Sequence, residues 1–465
     1  MMTLNLALRN LMRNRRRSLA TVLALAIGSA SILLFGGFRT NVSYELHTRH
    51  VQKGGHMQIQ HRDFYLYGSG NPTAYGINDY TKILAAIQQD EVLRNMVVVA
   101  TPALQFGGIA GNYAASVSRT IIGTGLVAED SNRMRRWNEF DLRTKAPISA
   151  LEAAPLDSAV VGTGVARVLQ LCDALKIANC AQPEKEQKAD GKPLPNDIAQ
   201  LSLLEAPAAS GAPQASRSRI EVLVVNARGA PNVTSLNVIR AEEQGVKELD
   251  DISITMHLAQ LQKLIYGKSP PKATSVMLQL RYSNQIPAAL ARLAPILSNF
   301  STSQPLAVLD FRTLNPFYVQ TMQMFDTIFG FVFVLIGGIV LFTVSNTMNT
   351  TVVERTVEIG TLRAIGLRRA GILRLFVTEG ALLGLCGAVF GVVLALMLAA
   401  LINQISTPWL PPGNVELVPF TVNVWGENIM IFGTTIGLIC IATLSALWPA
   451  YRAAKLDVVD ALRHV

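Results

Sequence analysis

The chain has 465 residues, 50% of them hydrophobic and only 16% charged, with a mean hydropathy of +0.32. That composition excludes an ordinary soluble enzyme and leaves room for two or three domains, some of them in a membrane. A formal net charge of +9 would ordinarily point to a polyanion partner, unless the charge is set by membrane topology.

Residues 1–17 carry Arg9, Arg13, Arg15, Arg16 and Arg17 and no acid, and are predicted to form a cytoplasmic amphipathic helix. Residues 18–42 follow as the first transmembrane helix. A hydrocarbon core of roughly 30 Å needs about 20 apolar residues, and only a helix satisfies its amides within one segment. A basic leader before an apolar run also describes a cleaved signal peptide. Ser18–Phe38 is longer than a usual h-region, so a retained anchor is expected.

Residues 43–316 turn to the composition of an α+β domain. Tyr44–Val51 and Asp310–Leu314 are amphipathic and are read as stalk helices. Strand-like runs occur at Met96–Thr101, Arg119–Ile122, Ser158–Val161, Ile220–Val225, Asp251–Met256 and Ser275–Leu280. Helical patterns at Thr81–Gln89, Gly164–Leu171, Leu258–Tyr266 and Ile286–Asn299 lie between some of them, which predicts a mixed sheet with helices. Residues 182–217, rich in Pro, Ala, Ser, Lys and Glu, are expected to be a flexible insertion. Cys172 and Cys180 are a candidate disulfide in an oxidising compartment. An unbroken helix would hold their Cα atoms about 12 Å apart, so the bond needs a turn, for which Asn179 is suited; two free thiols are the alternative. His47, His50, His56 and His61 are read as a polar stalk face rather than a metal site, since no cysteine lies nearby. Gly267-Lys268-Ser269 resembles the end of a phosphate loop, but position 262 is Gln where the motif demands Gly.

The C-terminal part alternates apolar and charged segments. Residues 317–353 form the second span, and Thr327–Val353 has no charged side chain. A polar knuckle at 354–371 separates it from the third span, 372–405. A short loop at 406–423, the fourth span at 424–450 and a tail at 451–465 complete the chain. Lys and Arg concentrate before Ser18, from Glu354 to Arg374 and after Pro449, and these three pieces together account for the whole net charge. Both termini and the knuckle are therefore cytoplasmic, residues 43–316 lie outside, and nucleic-acid binding is not expected. Gly380, Gly384, Gly387 and Gly391 in span three allow close helix packing, within the subunit or between subunits. Gly433 and Gly437 repeat the spacing in span four. Glu379 and Asp326 are read as interfacial or paired carboxylates. No catalytic set, metal site or nucleotide cradle is found in the residues.

The run Glu354-Arg355-Thr356-Val357-Glu358-Ile359-Gly360-Thr361-Leu362-Arg363-Ala364-Ile365-Gly366, followed by Arg369 and Glu379, resembles the signature of ABC transporter permeases of MacB/LolC/LolE/FtsX type. Leu6–Arg17, Pro449–Ala454, Asp460–Arg463, Val160–Ala166 and Asp251–Ile254 are similar to that family as well. The resemblance implies a polytopic α-helical membrane protein with four transmembrane helices and a large α+β periplasmic domain inserted between helices 1 and 2, in a bacterial inner membrane. MacB's fused ATPase has no counterpart in these residues, so a layout like LolC or LolE is expected. ATP and Mg would then be bound by a separate cytoplasmic ABC ATPase dimer rather than by this chain. Glu354, Arg355, Glu358, Ile359, Gly360, Leu362, Arg363, Ala364 and Gly366 would form the coupling element. In it Glu358 and Arg363 would make polar contacts with the ATPase, while Ile359 and Leu362 fill an apolar pocket on it. A second permease copy or paralogue and a periplasmic adaptor or acceptor protein are implied as further partners. The implied activity is extrusion or release of an amphiphile (lipoprotein, lipid, peptide or hydrophobic drug). The alternatives are FtsX-like signalling to a periplasmic partner and a membrane-anchored binding protein without transport.

Overall fold

The apolar runs fold as four long helices, Arg15–Gly54, Pro316–Glu354, Arg369–Ile405 and Asn428–Lys455. The computed structural model describes residues 2–13, 15–143, 146–177, 180, 218–301, 304–410 and 417–457. The expected insertion at 182–217, the turn at Asn179 and the tail motif Asp460–Arg463 lie outside these residues. Two units are distinguished: Met1–Glu45 with Phe317–Trp409 and Pro419–Val465, and Leu46–Pro316 with Leu410–Val418. Helix limits differ from the expected spans where the backbone decides them. The first helix runs on to Gly54, because no breaker occurs before Gly55, which has φ +76° and whose added Cβ would lie 2.6 Å from the Leu278 carbonyl oxygen. The fourth starts at Asn428 rather than 424, just after Gly426 at φ +90°.

In the helical unit, span three is the central packing element. A Cβ on Gly380 would lie 2.4 Å from Ala446 Cβ, and one on Gly384 2.8 Å from Ala442 Cβ, both on span four. A Cβ on Gly387 would lie 2.3 Å from Leu25 Cβ, and one on Gly391 2.3 Å from Ser29 Cβ, both on span one. The glycine row therefore faces two neighbours within the same chain, where removing a side chain lets helices approach closely. Span four's own pair behaves differently. Nothing lies within 4 Å of a Cβ on Gly433, while one on Gly437 would meet Phe333 at 3.1 Å. Near the opposite ends of these helices Phe38 packs against Phe325, Trp409 and Phe420. Asp326 pairs there with Arg39.

The other unit is built on nine strands: β1 Met57–His61, β2 Val97–Asn112, β3 Val117–Leu126, β4 Ser158–Gly162, β5 Arg219–Val225, β6 Pro231–Glu242, β7 Ser253–His257, β8 Ser275–Leu280 and β9 Leu306–Asp310. Six of them pair in a closed ring, β2-β3-β7-β4-β6-β5 and back to β2, with β3–β7 and β4–β6 parallel and the rest antiparallel. The long β2 makes this possible. Its first half pairs with β8, and its second half lies between β3 and β5. Alternate residues of the ring, among them Phe106, Val161, Val222, Leu236 and Ile254, point into one core that helix Leu258–Tyr266 closes. Each such side chain contributes about 1.5–3 kcal/mol by leaving water. Through β2 the same nine-stranded sheet continues as β8-β1-β9, covered by helices Tyr80–Gln89 and Ile286–Ser301 through Ile83, Ile87, Leu293 and Leu297. Gly267, the suspected phosphate-loop residue, ends helix Leu258–Tyr266 at φ +59°.

Cys172 and Cys180 are joined, with Cα atoms 6.2 Å apart; helix Cys172–Leu175 stops at Lys176, in the left-handed region. The histidine expectation is corrected for two residues. His47 and His56 are 8% and 0% exposed, enclosed by Trp137, Phe140 and Phe311, with the His47 and Phe311 ring centroids 4.2 Å apart. Both Nε2 atoms lie within hydrogen-bond distance of Ser283 Oγ, at 3.1 and 3.2 Å. Because His56 Nδ1 accepts from the Leu280 amide at 3.0 Å, its proton sits on Nε2 and is donated to Ser283. Ser283 in turn donates to Glu139 Oε2 at 2.5 Å. An aromatic wall with a satisfied polar centre is a stable way to bury imidazoles.

Candidate functional site

The knuckle folds as a separate helix, Thr356–Ala364, shorter than the 354–371 expected. Arg355 breaks the preceding helix at φ −109°. At the other end Gly366, at φ +105°, donates to the Arg363 carbonyl and Leu367 donates to the Leu362 carbonyl. That pair of bonds with a left-handed glycine is a Schellman stop.

The helix has an inner and an outer face. Ile359 is 2% exposed and packs with Val352, Ile372 and Phe376 of the same chain, with Leu362 half-buried beside it. This corrects the expectation that Ile359 fills a pocket on another protein: four residues from Arg355 on a helix, it must follow Arg355 inward. Gly360 is buried too. The outer face carries Val357, Thr361 and Ala364, with Ile365, 80% exposed, just beyond the helix.

Its charges are held by partners within the chain. Glu358 accepts from Arg355 Nε at 2.8 Å and from the Arg13 guanidinium. Burial raises the Glu358 carboxyl, but the Arg355 and Arg13 bonds outweigh it and hold it below the ordinary carboxylate range. Arg355 also donates to Glu379 Oε1 at 3.1 Å, and this pair is 8% and 2% exposed. The Asn10 amide donates to the same Glu379 oxygen. Glu354 receives a two-pronged bond from Arg17, each arm 2.7 Å. Arg363 donates to the Leu456 carbonyl. Glu358 and Arg363, expected to face a partner, thus already hold partners within the chain.

Helix Met2–Arg13 supplies Asn10 and Arg13 because of how its faces divide. Ala7 is buried and Leu11 packs on the core, while Leu4, Leu8 and Met12, at four-residue spacing, are exposed. The sequence signalled these residues only as an amphipathic leader. Glu379 was expected to be interfacial or paired, and it is paired. The glycines of span three lie on the same helix as Glu379. Cys172 and Cys180 belong to the other unit. No group of three or more His, Cys, Asp or Glu side chains suited to a metal occurs among the described residues.

Residues 327–458 match the family model described as the FtsX-like permease C-terminal region. An ABC transporter permease of Methanocaldococcus jannaschii is 33% identical over 120 residues, 26% of this chain and 28% of that protein. The lipoprotein-releasing system transmembrane protein LolC of Xylella fastidiosa is 24% identical over 242 residues, 50% of this chain and 56% of LolC. The crystal structure of the periplasmic region of MacB from Actinobacillus actinomycetemcomitans aligns with 58% of this chain and 94% of its own at 11% identity, with a TM-score of 0.31. The chain thus spans little more than half, or less, of the curated relatives it matches. The chain is thus a multi-pass inner-membrane protein with four spans and an α+β periplasmic domain between helices 1 and 2, and its residues 327–458 are similar to the C-terminal region of FtsX-like permeases.

Proposed function

We propose that this chain is the permease subunit of an ABC transporter, moved by hydrolysis of Mg-bound ATP on a separate cytoplasmic ATPase dimer. The observation that carries the reading is the two-faced knuckle helix. Ile359 and Leu362 fix it inward, and Val357, Thr361, Ala364 and Ile365 present a mainly apolar strip outward. A short helix offering an apolar face suits a groove on a partner protein. Glu354, Arg355, Glu358 and Arg363 act in this reading by holding the strip in place. Closure of the ATPase around nucleotide would push the knuckle and, through spans two and three, the helices packed on them.

The substrate in this reading is an amphiphile handled on the periplasmic side, either released lipoprotein or exported lipid, peptide or hydrophobic drug. The LolC likeness supports a layout in which ATP is bound elsewhere. A second permease copy or paralogue completes the transporter, and a periplasmic adaptor or acceptor takes up the substrate.

The test is purification from native membranes with whatever ATPase accompanies the chain, followed by reconstitution in liposomes. Gly360→Pro, which removes a helical donor at a buried turn, is expected to abolish permease stimulation of ATP hydrolysis while leaving membrane insertion intact. Retained stimulation in that variant contradicts the assignment. Stimulation that depends on a periplasmic protein, with no amphiphile moved, would instead identify a regulatory FtsX-like protein.

A further inference from the structure

We infer that the N-terminal helix Met2–Arg13 is part of the coupling element, and that Glu379 is the positioning residue that makes it so. The inference rests on the proposed coupling role of the knuckle and adds an element to it. Three segments far apart in sequence meet at one carboxylate. Glu379 Oε1, in span three, accepts from Asn10 of the N-terminal helix and from Arg355 at the head of the knuckle. A second tie joins the same two cytoplasmic helices directly, from Arg13 to Glu358, and Glu358 is bound back to Arg355.

The arrangement is more than a satisfied charge. Arg355 would be neutralised by Glu358 and Glu379 alone, so the Asn10 bond adds nothing to charge balance; what it adds is a fixed position for the first helix. Arg355 also lies over the Phe376 ring, its Cζ 5.9 Å from the centroid, so its fork has little freedom to follow another partner. At 2% exposure Glu379 exchanges its two donors for water only if the helices separate. Helix Met2–Arg13, knuckle and span three therefore move as one block. A push on Val357 and Ile365 is delivered at once to span three and to a basic helix whose Leu4, Leu8 and Met12 remain exposed.

The experiment reads the clamp and the coupling separately. Ala7, fully buried on the inner face of this helix, is changed by Ala7→Cys in the full chain, with Cys386→Ala and Cys440→Ala removing the free thiols. A membrane-impermeant maleimide is then applied to inside-out vesicles. The introduced thiol is expected to be protected, and to label about tenfold faster once Asn10→Leu or Glu379→Leu removes a bond to a charged group. Glu379→Gln, whose carbonyl still accepts from both donors, is expected to retain protection. With the co-purified ATPase, Asn10→Leu should lower stimulation severalfold at unchanged ATPase binding. A thiol that stays protected in both leucine variants overturns the clamp, and an exposed thiol with full stimulation overturns its part in coupling. If the unmodified chain stimulates no ATPase, the proposed function fails, while the labelling result still decides the clamp.

Discussion

Both units bury polar side chains, but by opposite means. At the cytoplasmic end of the helical unit the buried groups are ionic: Arg355 and Glu379 at its centre, Glu358, Arg13, Glu354 and Arg17 around them. In the periplasmic domain, where the buried Asp250 carboxylate is held by backbone amides, one nest is neutral: His47, His56 and Ser283 inside an aromatic wall, with one carboxylate, Glu139, at the edge. An ionic knot with exposed outer members can be rearranged by a charged partner or by salt, whereas a neutral nest offers such a partner nothing to compete for.

The largest effect is expected from breaking the ionic centre. Arg355→Met leaves Glu379 buried without its cation, and losing one member of a buried pair costs about 3–5 kcal/mol. Thermal unfolding of the purified chain in detergent should fall accordingly, and an unchanged midpoint would mean that the pair is not buried. The neutral nest is broken by acid instead. Burial, helped by the neighbouring His47, pushes His56 down to about 3 from 6.5. Between those values the unfolded chain binds the proton that the folded one refuses. Stability is therefore fully present above pH 6.5 and is lost as pH falls, at up to about 1.4 kcal/mol per unit. Denaturant midpoints measured from pH 7 to 4.5 should show this slope. His56→Asn, whose Oδ1 replaces Nδ1 as acceptor for Leu280, should reduce the slope but not abolish it, because burial also lowers His47 and His50 to about 4.

Two smaller tests sharpen the contrast. Gly391→Leu would drive a side chain into Ser29 and Ala26 of span one, an overpacking cost of about 1–3 kcal/mol. Gly433→Leu meets nothing within 4 Å in the chain and should leave the midpoint unchanged. The least effect is expected from Glu354→Gln. Its pair with Arg17 is about half exposed, and such pairs contribute at most about 1 kcal/mol; the loss should vanish in high salt.

The same contrast governs what was legible in the sequence. Charges in an apolar background stand out, so the four spans and the knuckle could be read directly, and Glu379 as either interfacial or paired. Which acid meets which base could not be read, because Asn10, Arg13 and Glu379 come together only through packing of the spans. That is why Ile359 was assigned outward when the helix turns it in. In the domain, β4 and β8 were read nearly to the residue, since Val and Leu fill them. β6 was missed because Asn232, Thr234, Ser235 and Asn237 interrupt its apolar alternation. The second half of β2 was missed because Pro102, Gly107, Gly108 and Gly111 imitate a loop, although strand pairing on both sides holds it extended. The nest of His47 and His56 depends on Ser283 and Glu139, more than 80 residues away, and left no local signal.

In the proposed function the outer face of the knuckle is where an ATPase pushes. A photo-activated crosslinker placed at Ile365 in the intact chain, irradiated in living cells, tests this most directly. The account predicts a single adduct with an ATP-binding cytoplasmic subunit, lost when Gly360→Pro distorts the helix. Adducts only with lipid or periplasmic proteins would contradict it.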